Sequence, residues 1–440
     1  MGAPPDTMAS AKIPANLPEL VKTAFQRARA SGDVLFFPTQ VTLLNVGSVP
    51  FQLRFSPALA SKPKAPQPAP SPAGPSTPSS TEPGQTTTAK PFFDPFDNPP
   101  PPMLITAIPP SHILVLNKFA VVPEHFILAT SAFREQTHLL EPADLDVAYQ
   151  CIEAYHNYHL HRHHRDGDEK DGDAADAQGQ HHDQEQEQPA PGEGELFVFF
   201  NSGPHSGASQ PHRHLQLLPV ARMHEGLDRA QEPGWTVLAR GLLFGESSGA
   251  ASSGSGSSTS TSTSTRNGSS VRDQMPFATF AERITPPLPP SSSSRGEPTR
   301  RDLHATYLRL YRRACEAVLG CAAVAGDGSG SGSESVGQAG GEPARISYNL
   351  AMTRDVMVVM PRVAEGQTVT ATTPGDGDRG DGVEPGKREV GKLALNGTVL
   401  AGTALVKSQA EWDALRREPE QLKEILGRIG VPNIQAASLL

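Results

Sequence analysis

The sequence predicts a mixed α/β (α+β) protein, rich in short strands with helices between them. Alternating apolar residues indicate strands such as Val49–Leu59, where Phe51, Leu53 and Phe55 are two apart. Apolar residues three and four apart indicate helices such as Leu17–Asp33. Long polar tracts lie between these segments and bury too little apolar surface to offset the entropy of ordering them. We therefore expect a folded part interrupted by several disordered low-complexity insertions.

The individual elements follow from these patterns and from their end signals. A glycine ends the first helix, Pro142 fits the first turn of the second, and Ser408 with Glu411 matches a capping box. The predicted elements are a helix at Leu17–Asp33, strands at Val34–Gly47 and Val49–Leu59, strands at His112–Val121 and His125–Thr130, a helix at Glu141–Tyr158, strands at Glu195–Gly203 and His212–Val220, a helix at Arg301–Leu319, a hairpin at Tyr348–Met352 and Val356–Pro361, a part-strand, part-loop segment at 391–407, and two helices from Ser408 and Pro419.

The low-complexity insertions are rich in Pro, Ser, Thr, Gly or acidic residues. We predict disorder at 64–91, 162–195, 246–275, 286–300, 325–343 and 364–388. The remainder, about 270–300 residues, suffices for one large core or two small packed domains. Three regions result: an N-terminal region at 10–220, which contains the histidine-containing stretch considered below, a variable and largely disordered region at 221–300, and a C-terminal region at 301–440.

The net charge of −9 comes from one insertion. Residues 166–195 contain eleven acidic residues and one lysine, so the rest of the chain is nearly neutral. Nucleic-acid binders carry a basic stripe, which is missing here, so we expect no nucleic-acid partner. No apolar run reaches the roughly 18 residues of a membrane span, and the N-terminus lacks the apolar segment of a signal peptide. We expect no membrane partner and a cytoplasmic location, with the nucleus as the alternative.

Three cysteines are too few, and too irregularly spaced, for a disulfide framework or a CxxC metal site. Cys151, Cys315 and Cys321 each lie in or beside an apolar, helix-like stretch. We therefore expect buried, reduced thiols.

The stretch "FNSGPHSGASQPHRHLQLLPV" (200–220) has a pattern suited to phosphate chemistry. On a strand, His212, His214 and Gln216 share one face. The small residues of Gly203–Gln210 let backbone N–H groups close around an anion. A neutral imidazole can attack phosphorus when its second nitrogen is hydrogen-bonded. His214, in the middle, is therefore the candidate nucleophile, and His212 and Gln216 can donate to phosphate oxygens.

Two other interpretations of the histidine pair stay open at this point. Histidines spaced two apart can bind a metal, as in a cupin-type barrel, although no third ligand follows promptly and Gln216 is a poor ligand. They can also be structural residues of a core.

This stretch resembles the signature of the histidine-triad superfamily in its HxHxQ branch. It is most similar to fungal-type diadenosine tetraphosphate (Ap4A) phosphorylases, also called ATP adenylyltransferases. Four further segments resemble blocks of that family and occur in the same order: "FSPALASKP", "LVLNKFAVVPEHFILAT", "SYNLAMTRDVMVVMPR" and, less tightly, "LNGTVLAGTALVK". Together the five segments span nearly all of the foldable chain.

The resemblance implies a histidine-triad-like fold, with an antiparallel sheet flanked by helices. It also implies phosphorolysis of Ap4A to ADP and ATP through a covalent AMP on His214, reversibly, with ADP sulfurylase activity as a further expectation. The family's substrate contacts fall here on Lys62, Asn117, Lys118, Asn201, Gly207, Ala208, Ser209, Gln210, Gln216, Asn396, Gly402 and Lys407. The chain departs from the family pattern at Ala208, where a second serine is common, and at Ala120, where proline is common.

The implied partners are dinucleoside polyphosphates, ATP, ADP and phosphate, and the family suggests a monomer. A divalent cation, Mg²⁺ or Mn²⁺, is expected to arrive with the nucleotide, and no protein metal site is predicted. Two rivals remain. A hexose-1-phosphate uridylyltransferase usually has proline where this chain has Arg213. A nucleotide-binding protein without turnover would use the same pocket.

Overall fold

The computed structural model describes most of the segments predicted to fold. These are residues 12–61, 93–168, 190–228, 230–231, 234–243, 270–284, 302–320, 341–372 and 386–433. The predicted insertion at 64–91 lies outside them, as do 169–189, 246–269, 286–300, 325–340 and 373–385 of the other insertions. Lys62 and Cys321 also lie outside.

The helices begin and end at the signals that the sequence carries. Gly32 ends the first helix with a positive φ of 81°, a conformation that glycine adopts without strain. Ser408 and Glu411 form the predicted capping box. In the described residues the helices are α1 (Leu17–Ser31), α2 (Pro142–Asp168), α3 (Val220–His224), α4 (Leu238–Leu243), α5 (Val271–Gln274), α6 (Leu303–Leu319), α7 (Gln409–Arg417) and α8 (Glu420–Ile429).

The strands are short and reach from the N-terminal to the C-terminal part of the chain. They are β1 (Leu35–Phe36), β2 (Gln40–Val46), β3 (Val49–Phe55), β4 (Leu104–Ile108), β5 (His112–Leu116), β6 (Phe119–Ala120), β7 (Phe126–Thr130), β8 (Leu196–Ser202), β9 (His214–Pro219), β10 (Phe280–Arg283), β11 (Ser347–Met352), β12 (Val356–Arg362), β13 (Gly366–Thr372), β14 (Lys387–Ala394) and β15 (Thr403–Val406).

An eight-stranded antiparallel sheet forms the centre of the fold. Its strand order is β10-β12-β11-β8-β9-β7-β5-β4. Strands β4, β5, β7, β8 and β9 come from the N-terminal part, and β10, β11 and β12 come from the C-terminal part. The two sets meet where β8 pairs with β11, with Asn201 opposite Asn349. The predicted antiparallel sheet with flanking helices is confirmed, and the N-terminal and C-terminal segments share it.

Each face of this sheet is covered by a different layer. One face packs against α1, α2 and α6 in a core that includes Val198, Phe200 and Tyr307. The other face carries Phe197 and Phe199 and packs against the three-stranded sheet β15-β3-β2 and helices α7 and α8. In that smaller sheet β15 runs parallel to β3, so the C-terminal part is also hydrogen-bonded to the N-terminal part there. None of the described helices has the length and apolar character needed to cross a membrane.

The structure differs from the predicted elements in several places. Helix α2 continues to Asp168 instead of ending at Tyr158, so the histidine-rich run is helical. The predicted strand His112–Val121 breaks after Leu116, because Phe119–Ala120 pairs with β1 instead. Strand β9 begins at His214, so His212 precedes it. No element was predicted at 221–300, yet α4, α5 and β10 form there.

Strand β13 lies in a segment predicted to be disordered, 364–388. Its sequence, GQTVTAT, has only two apolar side chains besides glycine, those of Val369 and Ala371, and therefore resembles a loop. The strand is ordered by its pairing with β14 and by the Gln421 side chain, which bonds the backbone N and O of Thr370. These partners are distant in sequence, so the local pattern does not reveal them.

Candidate active site

His214 begins β9 with its ring fixed by one backbone hydrogen bond. Its Nδ1 donates to the carbonyl oxygen of His212 at 2.8 Å. The opposite ring nitrogen, Nε2, has no hydrogen-bond partner among the described residues. Because the Nδ1 proton is committed to the carbonyl, the lone pair of a neutral ring lies on Nε2. The residue is oriented as a nucleophile would be.

The surroundings of His214 keep its ring neutral. Burial is the main cause that lowers the pKa of His214 to about 4. The hydrogen bond to the His212 backbone raises this pKa, and the positive charge of the His212 ring lowers it. Burial disfavours the charged imidazolium because it removes the ring from water. At neutral pH the Nε2 lone pair is therefore available for attack on phosphorus.

Gln136 holds the backbone of His214 in place. The register of β8 and β9 ends at the pair Phe199–Gln216. Beyond it, the Gln136 side chain accepts from the His214 N–H at 2.7 Å and donates to the carbonyl oxygens of Asn201 at 2.8 Å and His214 at 3.2 Å. This buried amide thus replaces the next hydrogen bonds of the ladder. Sequence analysis did not find Gln136, because it lies far from the motif.

Replacing Gln136 with leucine is expected to weaken both stability and activity. Leucine keeps the volume and leaves at least two buried backbone groups unpaired, which costs roughly 1–3 kcal/mol for each. We expect a loss of about 2–3 kcal/mol in the free energy of unfolding and a kcat lowered about tenfold by misplacement of the nucleophile. Urea unfolding and steady-state kinetics measure the two effects. The exposed Gln26→Leu serves as the control, and unchanged values in Gln136→Leu would contradict this role.

His212 is bound by the protein through both ring nitrogens. Nδ1 lies 2.6 Å from Oδ2 of Asp94, and Nε2 lies 2.8 Å from the carbonyl oxygen and 3.0 Å from Oγ1 of Thr130. The rings of Phe96 and Phe133 pack against it. The sequence predicted that His212 donates to phosphate, but both of its ring nitrogens are already hydrogen-bonded within the protein. The same contacts leave no nitrogen for a metal, and the described residues contain no group of three or more metal-ligating side chains.

The loop between β8 and His212 has the backbone that an anion-binding loop needs. Gly203 and Gly207 have φ values of 85° and 77°. Ser206 is buried and tightens the turn, because its hydroxyl donates to the Gly203 carbonyl at 2.6 Å and accepts from the Ala208 N–H at 3.3 Å. Ala208 and Ser209 are exposed and Gln210 is half-buried at the loop surface. The predicted phosphate contacts Ala208, Ser209 and Gln210 thus lie where a ligand can reach them.

The C-terminal segment packs directly against this loop. A side-chain carbon added at Gly207 would lie 2.8 Å from Cβ of Asn396 and 2.8 Å from the Leu395 carbonyl. Oδ1 of Asn201 accepts from the Gly397 N–H and from Nδ2 of Asn349, both at 2.8 Å. The structure therefore brings together residues predicted from two separate segments, Asn201 and Gly207 from one and Asn396 from the other. Sequence analysis did not single out Asn349.

A hydrogen-bonded chain orients Gln216 on the face it shares with His214. Oδ1 of Asn117 accepts from the Phe119 N–H at 3.0 Å, so its Nδ2 faces Nδ1 of His125 at 3.1 Å. Burial lowers the pKa of His125 to about 4, a hydrogen bond with the Gln216 side chain raises it, and the charge that His214 would carry lowers it. The His125 ring is therefore neutral at pH 7. Because Nδ1 accepts from Asn117, the ring proton lies on Nε2. The hydrogen bond to His125 therefore fixes the Gln216 amide, which the sequence predicts to donate to phosphate.

The remaining predicted contacts lie at strand ends. Lys118 follows β5 and Lys407 follows β15, and both side chains are exposed. Lys62 lies outside the described residues. Gly402 has a positive φ of 76° before β15, and its carbonyl accepts from the indole of Trp235 and the N–H of Gln52. These contacts give Gly402 a role in the turn, and its substrate contact stays a prediction.

The fold and the site together define a class. A neutral histidine at the start of a central antiparallel strand, after a glycine- and serine-containing loop, is the arrangement expected for the HxHxQ branch of the histidine-triad superfamily, which the sequence resembles. The family comparisons make this specific. The Ap4A phosphorylase N-terminal domain matches residues 8–162 and 176–233, and the ATP adenylyltransferase C-terminal domain matches residues 273–432. The chain belongs to the Ap4A phosphorylase family.

Individual relatives are distant. Protein APA1 of Saccharomyces cerevisiae is 28% identical over 214 residues, 47% of this chain and 50% of that protein. Diadenosine 5',5'''-P1,P4-tetraphosphate phosphorylase 2 of the same yeast is 32% identical over 130 residues, 29% of this chain and 31% of that protein. The chain thus matches half or less of the length of these two relatives. The crystal structure of yeast Ap4A phosphorylase Apa2 in complex with Ap4A matches this structure with a TM-score of 0.52 at 22% sequence identity. The match covers 96% of this chain and 99% of that one, and it shows that the two share a fold.

Proposed function

We propose that the protein is a dinucleoside polyphosphate phosphorylase that cleaves Ap4A with inorganic phosphate to ADP and ATP. The observation that carries the proposal is the His214 ring, fixed, neutral and with Nε2 unpaired among the described residues, on the strand that follows the Gly203–Gln210 loop. One yeast relative supports the choice of substrate, because it is named as a phosphorylase of diadenosine tetraphosphate.

The reaction has two steps on one phosphorus atom. The Nε2 lone pair of His214 attacks the α-phosphorus, the N–P bond forms, and the bridging P–O bond breaks so that ATP leaves with the oxygen. An oxygen of inorganic phosphate then attacks the same phosphorus, which breaks the N–P bond and releases ADP with a neutral His214. Each step inverts the phosphorus, so the overall configuration is retained.

The loop and the lysines supply the positive charge that this chemistry needs. Backbone N–H groups of the loop and the Gln216 amide can donate to the equatorial oxygens of the transferring phosphate. Lys118, Lys407 and Lys62 are the candidate partners of the remaining phosphates. In this proposal a divalent cation, Mg²⁺ or Mn²⁺, enters bound to the polyphosphate. Exchange with sulfate in place of phosphate uses the same histidine intermediate and extends the proposal.

A phosphorolysis assay tests the proposed function. The purified full chain is incubated with Ap4A, Mg²⁺ and phosphate, and the products are separated by ion exchange. The proposal predicts equal amounts of ADP and ATP that appear only with phosphate. Binding of Ap4A without any product would indicate a nucleotide sensor. Transfer from a UDP-sugar instead of Ap4A would indicate a uridylyltransferase.

The activity is expected to stay high well below the ordinary histidine pKa. Attack requires neutral His214, and burial lowers its pKa to about 4, so protonation removes the nucleophile only as the pH falls through about 4. We therefore expect kcat/KM to stay nearly flat from pH 7 to pH 5.5 and to fall below that range. A pH profile of kcat/KM measures this, with unfolding monitored by circular dichroism at each pH. An acid limb near pH 6.5 in a folded protein would contradict it.

A further inference from the structure

A carboxylate outside the recognised motifs lies beside the first histidine of the HxHxQ sequence. We propose that Asp94 is a positioning residue for His214: its ion pair with His212 fixes the peptide that holds the nucleophile and balances the charge beside it. This inference rests on the proposed function, since it concerns the same transfer of AMP.

The ion pair is short and its acid is itself fixed. Oδ2 of Asp94 lies 2.6 Å from Nδ1 of His212, and Oδ1 accepts from the Phe96 N–H at 2.9 Å. His212 is 1% exposed, while the Asp94 side chain is 14% exposed. The carboxylate is therefore held in one orientation at the solvent edge of a buried ring.

The partners of His212 determine where its protons lie. Nε2 is 2.8 Å from the carbonyl oxygen of Thr130, which can only accept, so Nε2 must carry a proton. Nδ1 faces Asp94, and a carboxylate that reaches solvent is ionised at neutral pH. Both ring nitrogens therefore donate, and His212 is an imidazolium paired with Asp94.

The backbone carbonyl of His212 connects the anchored His212 ring to the nucleophile, His214. The His212 carbonyl accepts the Nδ1 proton of His214 at 2.8 Å, so the position of this peptide sets the direction of Nε2 in His214. The His212 ring is held at one end by Asp94 and at the other by Thr130. Phe96, two residues after Asp94, packs against both histidine rings with centroid distances of 5.5 and 5.1 Å.

The charge of Asp94 matters more as the reaction proceeds. When Nε2 of His214 bonds to phosphorus, its ring becomes positive. A neighbouring His212 cation would oppose this charge, and the carboxylate of Asp94 offsets that repulsion. The Asp94–His212 pair thus stays neutral overall as charge develops on His214, and the contribution of Asp94 to the rate comes from the fixed His212 peptide, which keeps Nε2 of His214 aimed at phosphorus.

Asp94→Asn replaces the ion pair with a weaker neutral contact, because the amide NH₂ can donate to an unprotonated Nδ1 of His212 while Nε2 keeps its proton for the Thr130 carbonyl. The single-turnover rate of AMP transfer from Ap4A to His214, without phosphate, is expected to fall roughly tenfold to hundredfold, the range typical when a partner that orients a reactive group is lost. The Kd for Ap4A is expected to stay within about threefold, since Asp94 does not touch substrate in this account. The exposed Asp97→Asn, three residues along the chain, is the matched control and is expected to behave as wild type.

A second measurement is independent of activity. In protein labelled with ¹⁵N-histidine, wild-type His212 is expected to show two protonated ring nitrogens at pH 7, and Asp94→Asn only one. The His212→Asn variant assigns the signal by its loss. A singly protonated His212 in the wild type would overturn the inference even if Asp94→Asn failed to fold.

The outcomes for the inference and for the proposed function can be told apart. If the wild type forms the AMP adduct and Asp94→Asn forms it at the same rate, the positioning role falls and the proposed function stands. If the wild type binds Ap4A and forms no adduct, the proposed function falls and the positioning role falls with it. A slowed transfer with unchanged Kd and a changed His212 signal supports both.

Discussion

Replacing His214 with asparagine is expected to abolish phosphorolysis while leaving the fold and nucleotide binding intact. The asparagine amide can still bond the His212 carbonyl that now accepts from Nδ1, but it has no lone pair able to attack phosphorus. Loss of a nucleophile lowers kcat by roughly 10⁴-fold or more in enzymes that use one. Initial rates of ADP and ATP formation from Ap4A give kcat, and equilibrium binding gives the Kd.

The matched control for this change is His205→Asn. His205 lies in the same loop, its side chain is exposed, and only its backbone N–H contacts the core, donating to Oγ of Ser347 at 3.3 Å. We expect kcat of His205→Asn within a few-fold of wild type. Residual activity in His214→Asn comparable to the control would show that another residue attacks phosphorus.

Replacing Arg362 with methionine is expected to cause the largest loss of stability. The buried guanidinium donates to Oδ1 of Asn349, to the carbonyls of Ala364, Glu365 and Leu395 at 2.9–3.0 Å, and to that of Ile429 at 3.3 Å. Burial lowers the pKa of Arg362 to about 10, so it is still charged at pH 7. Methionine fills similar space and removes the guanidinium donor from Oδ1 of Asn349 and from the carbonyls of Ala364 and Leu395, while the carbonyls of Glu365 and Ile429 still accept from a backbone N–H.

Several unpaired carbonyls together cost about 3–5 kcal/mol in the free energy of unfolding. The activity is also expected to fall, because Arg362 holds Asn349, whose Nδ2 donates to the carbonyl of Ser206 in the phosphate loop at 2.9 Å. Urea unfolding at pH 7 measures the stability, and Arg27→Met on the exposed face of α1 is the control. A midpoint shift no larger in Arg362→Met than in Arg27→Met would contradict this role.

The spacing of apolar residues predicted most of the fold, because most helices and strands have a recognisable apolar pattern and recognisable end residues within their own sequence. The helix from Leu17 has an apolar face and a glycine stop, and the hairpin of β11 and β12 has two apolar strands around a short turn. The segments that pattern missed are ordered by distant partners. Strand β13 needs β14 and Gln421, and Phe119–Ala120 needs β1. Contacts between segments that are distant in the sequence leave no periodic pattern of apolar residues, so pattern analysis cannot detect them.

The candidate site divides in the same way. Residues that would touch phosphate lie within contiguous motifs, so His214, Gln216 and the Gly203–Gln210 loop could be predicted. The residues that hold them come from elsewhere in the chain: Gln136 lies 78 positions from His214, and Asp94 lies 118 positions from His212. Glutamine and aspartate are common on protein surfaces, so the sequence alone does not single out Gln136 and Asp94. Their role is visible only from their burial and from the groups to which they are hydrogen-bonded in the structure.

The central claim is a covalent AMP on His214, and one single-turnover experiment tests it most directly. Wild type and His214→Asn are incubated with adenine-labelled Ap4A without phosphate, quenched in base, and examined for acid-labile, base-stable label on the protein. The account predicts label on wild type alone, released as ADP when phosphate is added. Label on both proteins, or on neither despite measurable binding, would contradict it.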